Sequence, residues 1–166
     1  MALGFGLIGC GAMGRELGLA IKNRVAEARL AAAFDPYRPD AEGFCADSGA
    51  ALAESLEALL GRKHMQAVIV ASPNDLHCEQ TVAAARAGKH VFCEKPMALS
   101  VADCDRMIAA CDQAGVKLMV GHSMRLYPLT RRLLEVARGG ELGEPLYAFA
   151  SYFFTGFRQR DSGVWH

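Results

Sequence analysis

The chain has 166 residues, which suits one domain or one domain with part of a second. Hydrophobic residues make up 52% and charged residues 22%, a globular composition that excludes an intrinsically disordered chain. Lys+Arg and Asp+Glu are both 18, so the net charge gives no indication of a nucleic-acid-binding protein.

The longest stretch without a charged residue covers residues 1–14, and about 20 residues are needed to span a bilayer. The segment L-I-G-C, which ends at Cys10, resembles a lipoprotein cleavage site, but no basic residue precedes it. We therefore expect a mature amino terminus, no membrane contact and a cytoplasmic protein. The six cysteines form no C-x-x-C pair, which favours buried free thiols, and the five histidines show no metal-ligand spacing with them.

Short apolar runs alternate with helical patterns along the first three quarters of the chain. The apolar runs predict strands at 3–8, 30–34, 67–71, 90–93 and 116–120. Spacing and capping signals predict helices at 12–28, 50–60, 75–87 and 101–114. This rhythm predicts an α/β fold with a doubly wound parallel sheet and helices on both faces.

The pattern changes after Arg125. A helix is predicted at 128–138, because Pro128 suits its first turn and two glycines follow it. Residues 146–154 alternate as a strand with aromatic side chains, which needs neighbouring strands and a cover. We therefore expect one domain at 1–125 and the beginning of an incomplete α+β domain at 126–166.

A glycine-rich segment follows the first strand and opens the first helix. It matches G-x-G-x-x-G and consists of Gly9, Cys10, Gly11, Ala12, Met13 and Gly14. In this context Gly9 allows a tight turn, Gly11 lets the backbone approach a pyrophosphate, and Gly14 lets the helix pack closely on the strand. The phosphates would lie at the helix amino terminus, where N–H groups and the helix dipole favour an anion. The alternative is a plain strand–helix turn.

Asp35 ends the second strand, 21 residues after Gly14 (35 − 14 = 21). An acidic residue about 20 residues beyond the glycines accepts hydrogen bonds from the adenosine ribose in Rossmann-type domains. A carboxylate there repels a 2′-phosphate, so NAD is favoured over NADP. Arg38 leaves NADP open, because it would pair with a 2′-phosphate if its loop turned it inward. The alternatives are a turn residue for Asp35 and a solvated loop residue for Arg38.

Three further segments carry a family resemblance. They are V-I-V-A-S-P-N-D-L-H at 68–77, A-G-K-H-V-F-C-E-K-P at 87–96 and G-H-S-M-R-L-Y-P at 121–128. Their order and spacing resemble the glucose–fructose oxidoreductase, inositol 2-dehydrogenase and MocA (Gfo/Idh/MocA) family over essentially the whole chain. The resemblance implies a Rossmann-type cofactor domain, followed by the start of a substrate domain that is truncated here.

The resemblance also implies roles for individual residues. The residues that would line the cofactor cleft are Ser72, Pro73, Asn74 and His77. Glu94 would bind the nicotinamide ribose, and Lys95 would lie at the cofactor and the substrate oxygen. The peptide bond before Pro96 is often cis in this family. Trp165 falls where many members carry Trp-Arg near the cofactor, whereas this chain has Trp-His.

The chemistry of hydride transfer agrees with this placement of Lys95. Oxidation at a carbinol carbon develops negative charge on the oxygen, and a nearby cation stabilises it. A lysine in a cleft also exchanges a proton with that oxygen, which makes Lys95 the predicted catalytic residue. The alternative for Glu94 and Lys95 is an ordinary surface pair at a strand end. His122 is either a substrate contact or a packed loop histidine.

These patterns predict an NAD(P)-dependent oxidoreductase that acts on a sugar, inositol or a related polyol. Two alternatives stay open: a non-catalytic dinucleotide-binding module, and a glycoside hydrolase or lyase that uses NAD. Family members carry an Asp-x-x-x-His pair in their substrate domain, and no residue of this chain matches it. We therefore expect no turnover from the 166 residues alone, and a homo-oligomer when the protein is full length.

Overall fold

The computed structural model describes residues 2–144 and 146–151. Six strands lie in these residues: β1 (Leu3–Ile8), β2 (Ala28–Phe34), β3 (Ala51–Leu52), β4 (Ala67–Val70), β5 (His90–Cys93) and β6 (Leu118–Val120). Six α-helices accompany them: α1 (Ala12–Arg24), α2 (Arg38–Ser48), α3 (Leu56–Leu60), α4 (His77–Arg86), α5 (Val101–Gln113) and α6 (Pro128–Arg138). No described helix is long and apolar enough to cross a membrane.

The strands form one sheet in the order β3-β2-β1-β4-β5-β6, and every pairing is parallel. This is the doubly wound Rossmann topology, so the predicted fold class is confirmed. Ile8 pairs with Phe34 on one side and with Val70 on the other, and Val70 pairs with Cys93. The carboxyl ends of β1, β2, β4 and β5 are therefore level with one another along one edge of the sheet.

Two hydrophobic clusters cover the two faces of the sheet. Leu7 and Ile8 are both fully buried, yet Leu7 packs in the cluster of Phe44 and Ile8 in the cluster of Val68. Successive side chains of a strand point to opposite faces, so adjacent residues of β1 enter different clusters. All four residues of β4 are buried, as its continuously apolar sequence predicted.

The helix predicted at 50–60 is wrong in its first half. Ala51–Leu52 forms β3 beside β2, and the helix is confined to Leu56–Leu60. The Ser55 hydroxyl begins that helix by accepting a hydrogen bond from the Ala58 N–H at 3.1 Å. Alanine favours helices in isolation, but pairing with the edge of β2 satisfies backbone groups here and overrides that preference.

Helix α2 was not predicted. It begins after Tyr37 with Pro39 in its first turn and ends at Gly49, whose φ is 75°. Proline just inside the start and glycine just past the end are typical helix boundaries, so the sequence did carry a signal. The weak apolar periodicity of residues 38–48 hid it.

Other predicted boundaries shift by a few residues. Helix α1 ends at Arg24 rather than at 28, because Ala28 already belongs to β2. The helix predicted from Asp75 begins with a 3₁₀ turn at Asn74–Leu76, and neither Asn74 nor Asp75 caps it through its side chain. The last strand of the sheet starts at 118, two residues later than expected.

The chain divides into two compact units, Met1–Ser123 and Met124–His166. The second unit contains α6, whose bounds Pro128–Arg138 are as predicted. The strand predicted at 146–154 does not form over residues 146–151, where no strand lies alongside to complete its hydrogen bonds. The rest of that segment lies outside the described residues, and the domain assignment stays a prediction.

Candidate functional site

The glycine-rich turn joins β1 to α1 at the carboxyl edge of the sheet. Gly9 has a φ of 92°, and a Cβ on it would lie 2.5 Å from the backbone nitrogen of Ser72. A Cβ on Gly14 would overlap the carbonyl oxygen of Gly9. Both positions therefore exclude a side chain, because the protein's own backbone passes too close.

Gly11 differs from these two glycines. A Cβ on Gly11 would meet nothing within 4 Å, and no side chain caps α1 at this end. Ala12 and Met13 follow it in the first turn and are exposed. The first turn thus offers backbone N–H groups to open space, which fits the pyrophosphate of a dinucleotide.

Asp35 ties the glycine-rich turn to the end of β2. One carboxylate oxygen accepts a hydrogen bond from the Cys10 N–H at 2.7 Å, and the other accepts one from the Tyr37 N–H at 2.8 Å. Each oxygen keeps a further acceptor position, so the carboxylate remains able to bind ribose hydroxyls. Cys10 itself is buried, and burial together with the neighbouring Asp35 raises the pKa of its thiol to about 12.

Arg38 lies at the start of α2 and is held by two carboxylates. Its guanidinium is 2.7 Å from Glu42 and 2.7 Å from Glu54. Hydrogen bonds to Glu54 and Glu42 raise its pKa further. A 2′-phosphate would have to compete with both of these partners.

The loop after β4 is fastened to α4. The Ser72 hydroxyl donates to Gln80 Oε1 at 2.5 Å, and Gln80 is buried. Pro73 is exposed and Asn74 is half-buried, so both remain accessible at the carboxyl edge. Sequence reasoning missed Gln80, whose only signal was its position one helical turn after His77.

His77 is buried instead of lining an open surface. Its Nδ1 is 2.9 Å from the carbonyl oxygen of Pro96, and its Nε2 is 3.0 Å from that of Ser72. The Lys95–Pro96 peptide bond is cis. The ring thus lies between the loops that follow β4 and β5.

Glu94 and Lys95 follow β5 directly. Glu94 is buried, and one of its oxygens accepts the Lys95 N–H at 3.1 Å. Lys95 is exposed, and its ammonium makes no hydrogen bond or ion pair with a residue that the structure describes. A Cβ on Gly121 would lie 2.9 Å from Glu94 Oε1, so the bare backbone of Gly121 leaves room for this carboxylate.

The structure gives little information on the roles of two predicted site residues, His122 and Trp165. His122 is exposed, and its backbone N–H donates to Val120 at 2.8 Å, while its ring has no hydrogen bond within the described ranges. Trp165 lies outside the described residues. In residues 2–144 and 146–151, no three His, Cys, Asp or Glu side chains gather as a metal site.

The parallel sheet, the glycine-rich turn and the acidic residue after β2 together define a dinucleotide-binding α/β domain. The family described as "Oxidoreductase family, NAD-binding Rossmann fold" (GFO_IDH_MocA) matches residues 3–122. The chain therefore belongs to the Gfo/Idh/MocA oxidoreductase family, and the resemblance seen in its motifs is confirmed.

Relatives in this family have varied names. The chain is 36% identical to the 2,7-anhydro-N-acetylneuraminate hydratase of Mediterraneibacter gnavus, over 90% of this chain and 39% of that protein. It is 31% identical to the inositol 2-dehydrogenase of Salmonella typhimurium, over 92% of this chain and 46% of that protein. The chain thus spans less than half the length of these curated relatives.

A solved structure shows the same fold. The WlbA dehydrogenase of Bordetella pertussis, in complex with NADH and UDP-GlcNAcA, is 33% identical to this chain and superposes with a TM-score of 0.82. The match covers 86% of this chain and 41% of WlbA.

Proposed function

We propose that this chain is the cofactor-binding part of an NAD(P)-dependent oxidoreductase that transfers hydride between nicotinamide and a CH–OH group of a sugar, inositol or related polyol. One observation carries the proposal: the carboxyl edge of the sheet brings together the glycine-rich turn, Asp35 and the pair Glu94 and Lys95. The relative named inositol 2-dehydrogenase and the WlbA dehydrogenase, whose structure contains NADH and UDP-GlcNAcA, support this substrate class.

The residues of the edge divide the work of binding. The first turn of α1 would bind the pyrophosphate, and Asp35 would bind the adenosine ribose. The loop at 72–74 would form the wall of the cofactor cleft. Glu94 has no cation within ion-pair distance in the described part of the chain, so its carboxylate can accept nicotinamide ribose hydroxyls. The bound nicotinamide supplies hydride chemistry.

Lys95 would serve the substrate. Its exposed ammonium has no described partner, and it follows the strand whose end faces the ligand crevice of an open α/β sheet. There it stabilises charge on the substrate oxygen and exchanges a proton with it. His122 is proposed as a neighbouring substrate contact, and Trp165 as a cofactor contact.

We infer that NAD is preferred over NADP. Asp35 offers negative charge to the adenosine ribose, and Arg38 is already paired with two carboxylates. Fluorescence titration with NADH and NADPH should show tighter NADH binding. Equal or tighter NADPH binding would mean that Arg38 leaves its partners and sets the choice.

The decisive experiment is a turnover assay on the full-length protein. Incubation with NAD and a panel of inositols and sugars should produce NADH, followed by its absorbance, in proportion to the ketone formed. The 166 residues alone should bind dinucleotide and not turn over. Substrate binding without NADH formation in the full-length protein would refute the dehydrogenase reading.

A second function has its own support, since one relative is named a hydratase. Under this alternative the full-length protein would convert a sugar substrate with no net change in NADH. Product analysis beside the absorbance assay separates the two: product without NADH indicates an NAD-using lyase or hydratase. Dinucleotide binding with no product from any substrate indicates a binding module.

We further propose a cytoplasmic location, a homo-oligomeric full-length protein, and no membrane or nucleic-acid partner. The six cysteines are all free thiols, four of them buried, which suits a reducing compartment. Cell fractionation and size-exclusion chromatography with light scattering test these points.

A further inference from the structure

The ring of His77 bridges two loops of the carboxyl edge. It is 1% exposed, and each ring nitrogen lies within 3.0 Å of a backbone carbonyl oxygen, Nδ1 at Pro96 and Nε2 at Ser72. Both partners are acceptors. A neutral ring therefore donates its single N–H to one loop, and an imidazolium donates to both.

The two bridged loops carry different parts of the site. The loop after β4 carries Ser72 to Asn74, and the loop after β5 carries Glu94 and Lys95. Among the side-chain hydrogen bonds of residues 2–144, those of His77 alone join one loop to the other. Gln80, one helical turn later, holds only the first loop, through the Ser72 hydroxyl.

We propose that His77 is a positioning residue that sets the spacing between these two loops, and so holds Glu94 and Lys95 in register with the cofactor-cleft wall at 72–74. This rests on the proposed function, which places cofactor and substrate along these loops. The role differs from the direct cofactor contact that the family resemblance implies. A ring with both nitrogens on protein carbonyls has no polar atom left for a ligand.

The test uses three variants of the full-length protein. His77→Phe keeps a buried ring of similar size but cannot donate a hydrogen bond. His77→Asn places its amide nitrogen near the position of Nδ1 and retains a donor toward Pro96. His77→Gln places its amide nitrogen near Nε2 and retains a donor toward Ser72.

The first measurement is hydrogen exchange without cofactor, read by mass spectrometry at residues 71–76 and 94–98. We expect exchange about tenfold faster in both segments for His77→Phe, as the loss of a buried hydrogen bond allows. The Asn variant should protect 94–98 better than 71–76, and the Gln variant should show the reverse.

The second measurement is NADH affinity. His77→Phe should weaken NADH binding about tenfold, and the better of the two amide variants should recover most of that loss. His90→Phe is the matched control, because His90 also contacts backbone, accepting the Lys117 N–H at 3.0 Å, but at the amino end of β5. It should change neither loop exchange nor NADH affinity.

Several results would overturn the proposal. Unchanged exchange at both loops in folded His77→Phe would do so, as would weaker NADH binding without any change in exchange, which would indicate direct contact. If His77→Phe does not fold, identical exchange in the Asn, Gln and wild-type proteins overturns it. A wild-type protein that binds no dinucleotide defeats the proposed function, while the exchange measurements still judge the role of His77.

Discussion

At both ends of the parallel sheet, polar side chains make hydrogen bonds with the backbone of neighbouring segments, but the two ends differ in the charged groups that lie beside them. At the amino end, the buried Lys89 ammonium donates to the carbonyls of Arg62 and Met65 at 2.9 and 2.8 Å. Gln66 accepts the Gly4 N–H there at 2.8 Å. Both side chains thus make their hydrogen bonds with backbone groups, Lys89 with the segment between α3 and β4 and Gln66 with strand β1.

The carboxyl end shares these side-chain hydrogen bonds to the backbone but also contains charged groups without a described partner. Asp35 and His77 also hold loop backbone, but Glu94 and Lys95 carry charges that no described residue neutralises. A buried carboxylate without a cation partner, such as Glu94, is costly for stability, and such groups occur often at functional sites. The exposed ammonium of Lys95 is solvated and carries no such cost. The comparison teaches that side chains fasten the loops at both ends, and that only at the carboxyl end does the proposed site add Glu94 and Lys95 to this frame. We therefore expect the amino end to serve folding and the carboxyl end to serve binding as well.

The largest effect on stability is expected at Gly14, which belongs to the glycine-rich turn and packs against the backbone of Gly9. Gly14→Ala places a methyl group on the Gly9 carbonyl oxygen. We expect a loss of about 3 kcal/mol in unfolding free energy, even after the roughly 1 kcal/mol that alanine gains in a helix. Urea unfolding monitored by circular dichroism measures it.

Gly11→Ala is the matched variant in the same motif. Its methyl group meets no protein atom within 4 Å, so the unfolding free energy should change by about 1 kcal/mol at most. It would fill the space proposed for the pyrophosphate, and NADH binding should weaken about tenfold or more. Normal NADH affinity of Gly11→Ala, or normal stability of Gly14→Ala, would contradict these assignments.

The next largest effect concerns Lys95, the open charge of the carboxyl end. If the proposed function is right, Lys95→Ala in the full-length protein should lower kcat by roughly 10², the scale of a positioned proton-transfer group, which is about 2.7 kcal/mol. NADH affinity should change less than about threefold, because the proposed pyrophosphate site lies at α1. Lys95→Arg should not restore turnover, since a guanidinium keeps its proton.

Lys117→Ala, at the amino end of β6, is the control and should turn over normally. Loss of NADH binding in Lys95→Ala with near-normal turnover at saturating NADH would make Lys95 a cofactor clamp instead.

The same comparison explains what could be predicted from sequence. Strand β4 was predicted closely because a strand buried on both faces is a continuous apolar run. Strand β5 was predicted with the same bounds, although its burial alternates along the strand. Strand β3 was missed because it forms by pairing with the edge of β2, a tertiary partner that local patterns do not reveal. Helix α2 was missed although proline and glycine mark its two ends, because the apolar periodicity between them is weak.

The site divides in the same way. The glycine-rich turn and Asp35 follow from local spacing, and the structure brings them together through the Cys10 N–H. Gln80 and the room that Gly121 leaves for Glu94 were not predicted, because each depends on a contact between distant parts of the chain. Spacing indicates which residues share an edge, but not which of them touch.

At the amino end, Lys89→Met should cost about 2 kcal/mol of unfolding free energy, because one buried and one partly buried carbonyl lose their donor. NADH affinity should not change. Lys63 is exposed and lies in the sequence between the acceptors Arg62 and Met65, and Lys63→Met should leave the unfolding free energy within about 0.5 kcal/mol of wild type. If Lys89→Met weakened NADH binding at unchanged stability, the amino end would not be purely structural.

Alkaline pH should lower the unfolding free energy of the protein through Cys93, at the carboxyl end of β5. Burial raises the pKa of the Cys93 thiol from 9.0 to about 12. Above pH 9 the unfolded chain loses this proton while the folded chain keeps it, so stability falls between about pH 9 and pH 12, by up to about 1.4 kcal/mol per pH unit. Cys93→Ala should flatten that slope in urea unfolding at pH 8, 9 and 10.

Lys89 acts with the opposite sign at the amino end. Burial lowers its pKa, so the unfolded chain binds its proton more tightly and stability rises with pH across that titration. Lys89→Met should therefore steepen the alkaline decline that Cys93→Ala flattens. Parallel slopes for the wild type and both variants would show that neither group is linked to folding as its burial implies.

The smallest principal effect, on stability and NADH affinity, is expected for Gly121→Ala. This variant tests whether the bare backbone of Gly121 positions the Glu94 carboxylate. Gly121→Ala would put a methyl group 2.9 Å from Glu94 Oε1, the far end of a flexible side chain, and 3.1 Å from Phe92. The carboxylate can move aside, so stability should change by only about 0.5 kcal/mol, while NADH binding weakens about threefold to fivefold. In a Glu94→Ala background the displaced oxygen is gone, and Gly121→Ala should then leave NADH affinity unchanged. Equal losses in both backgrounds would show that the methyl group acts through Phe92 or the backbone, and that Gly121 does not position Glu94.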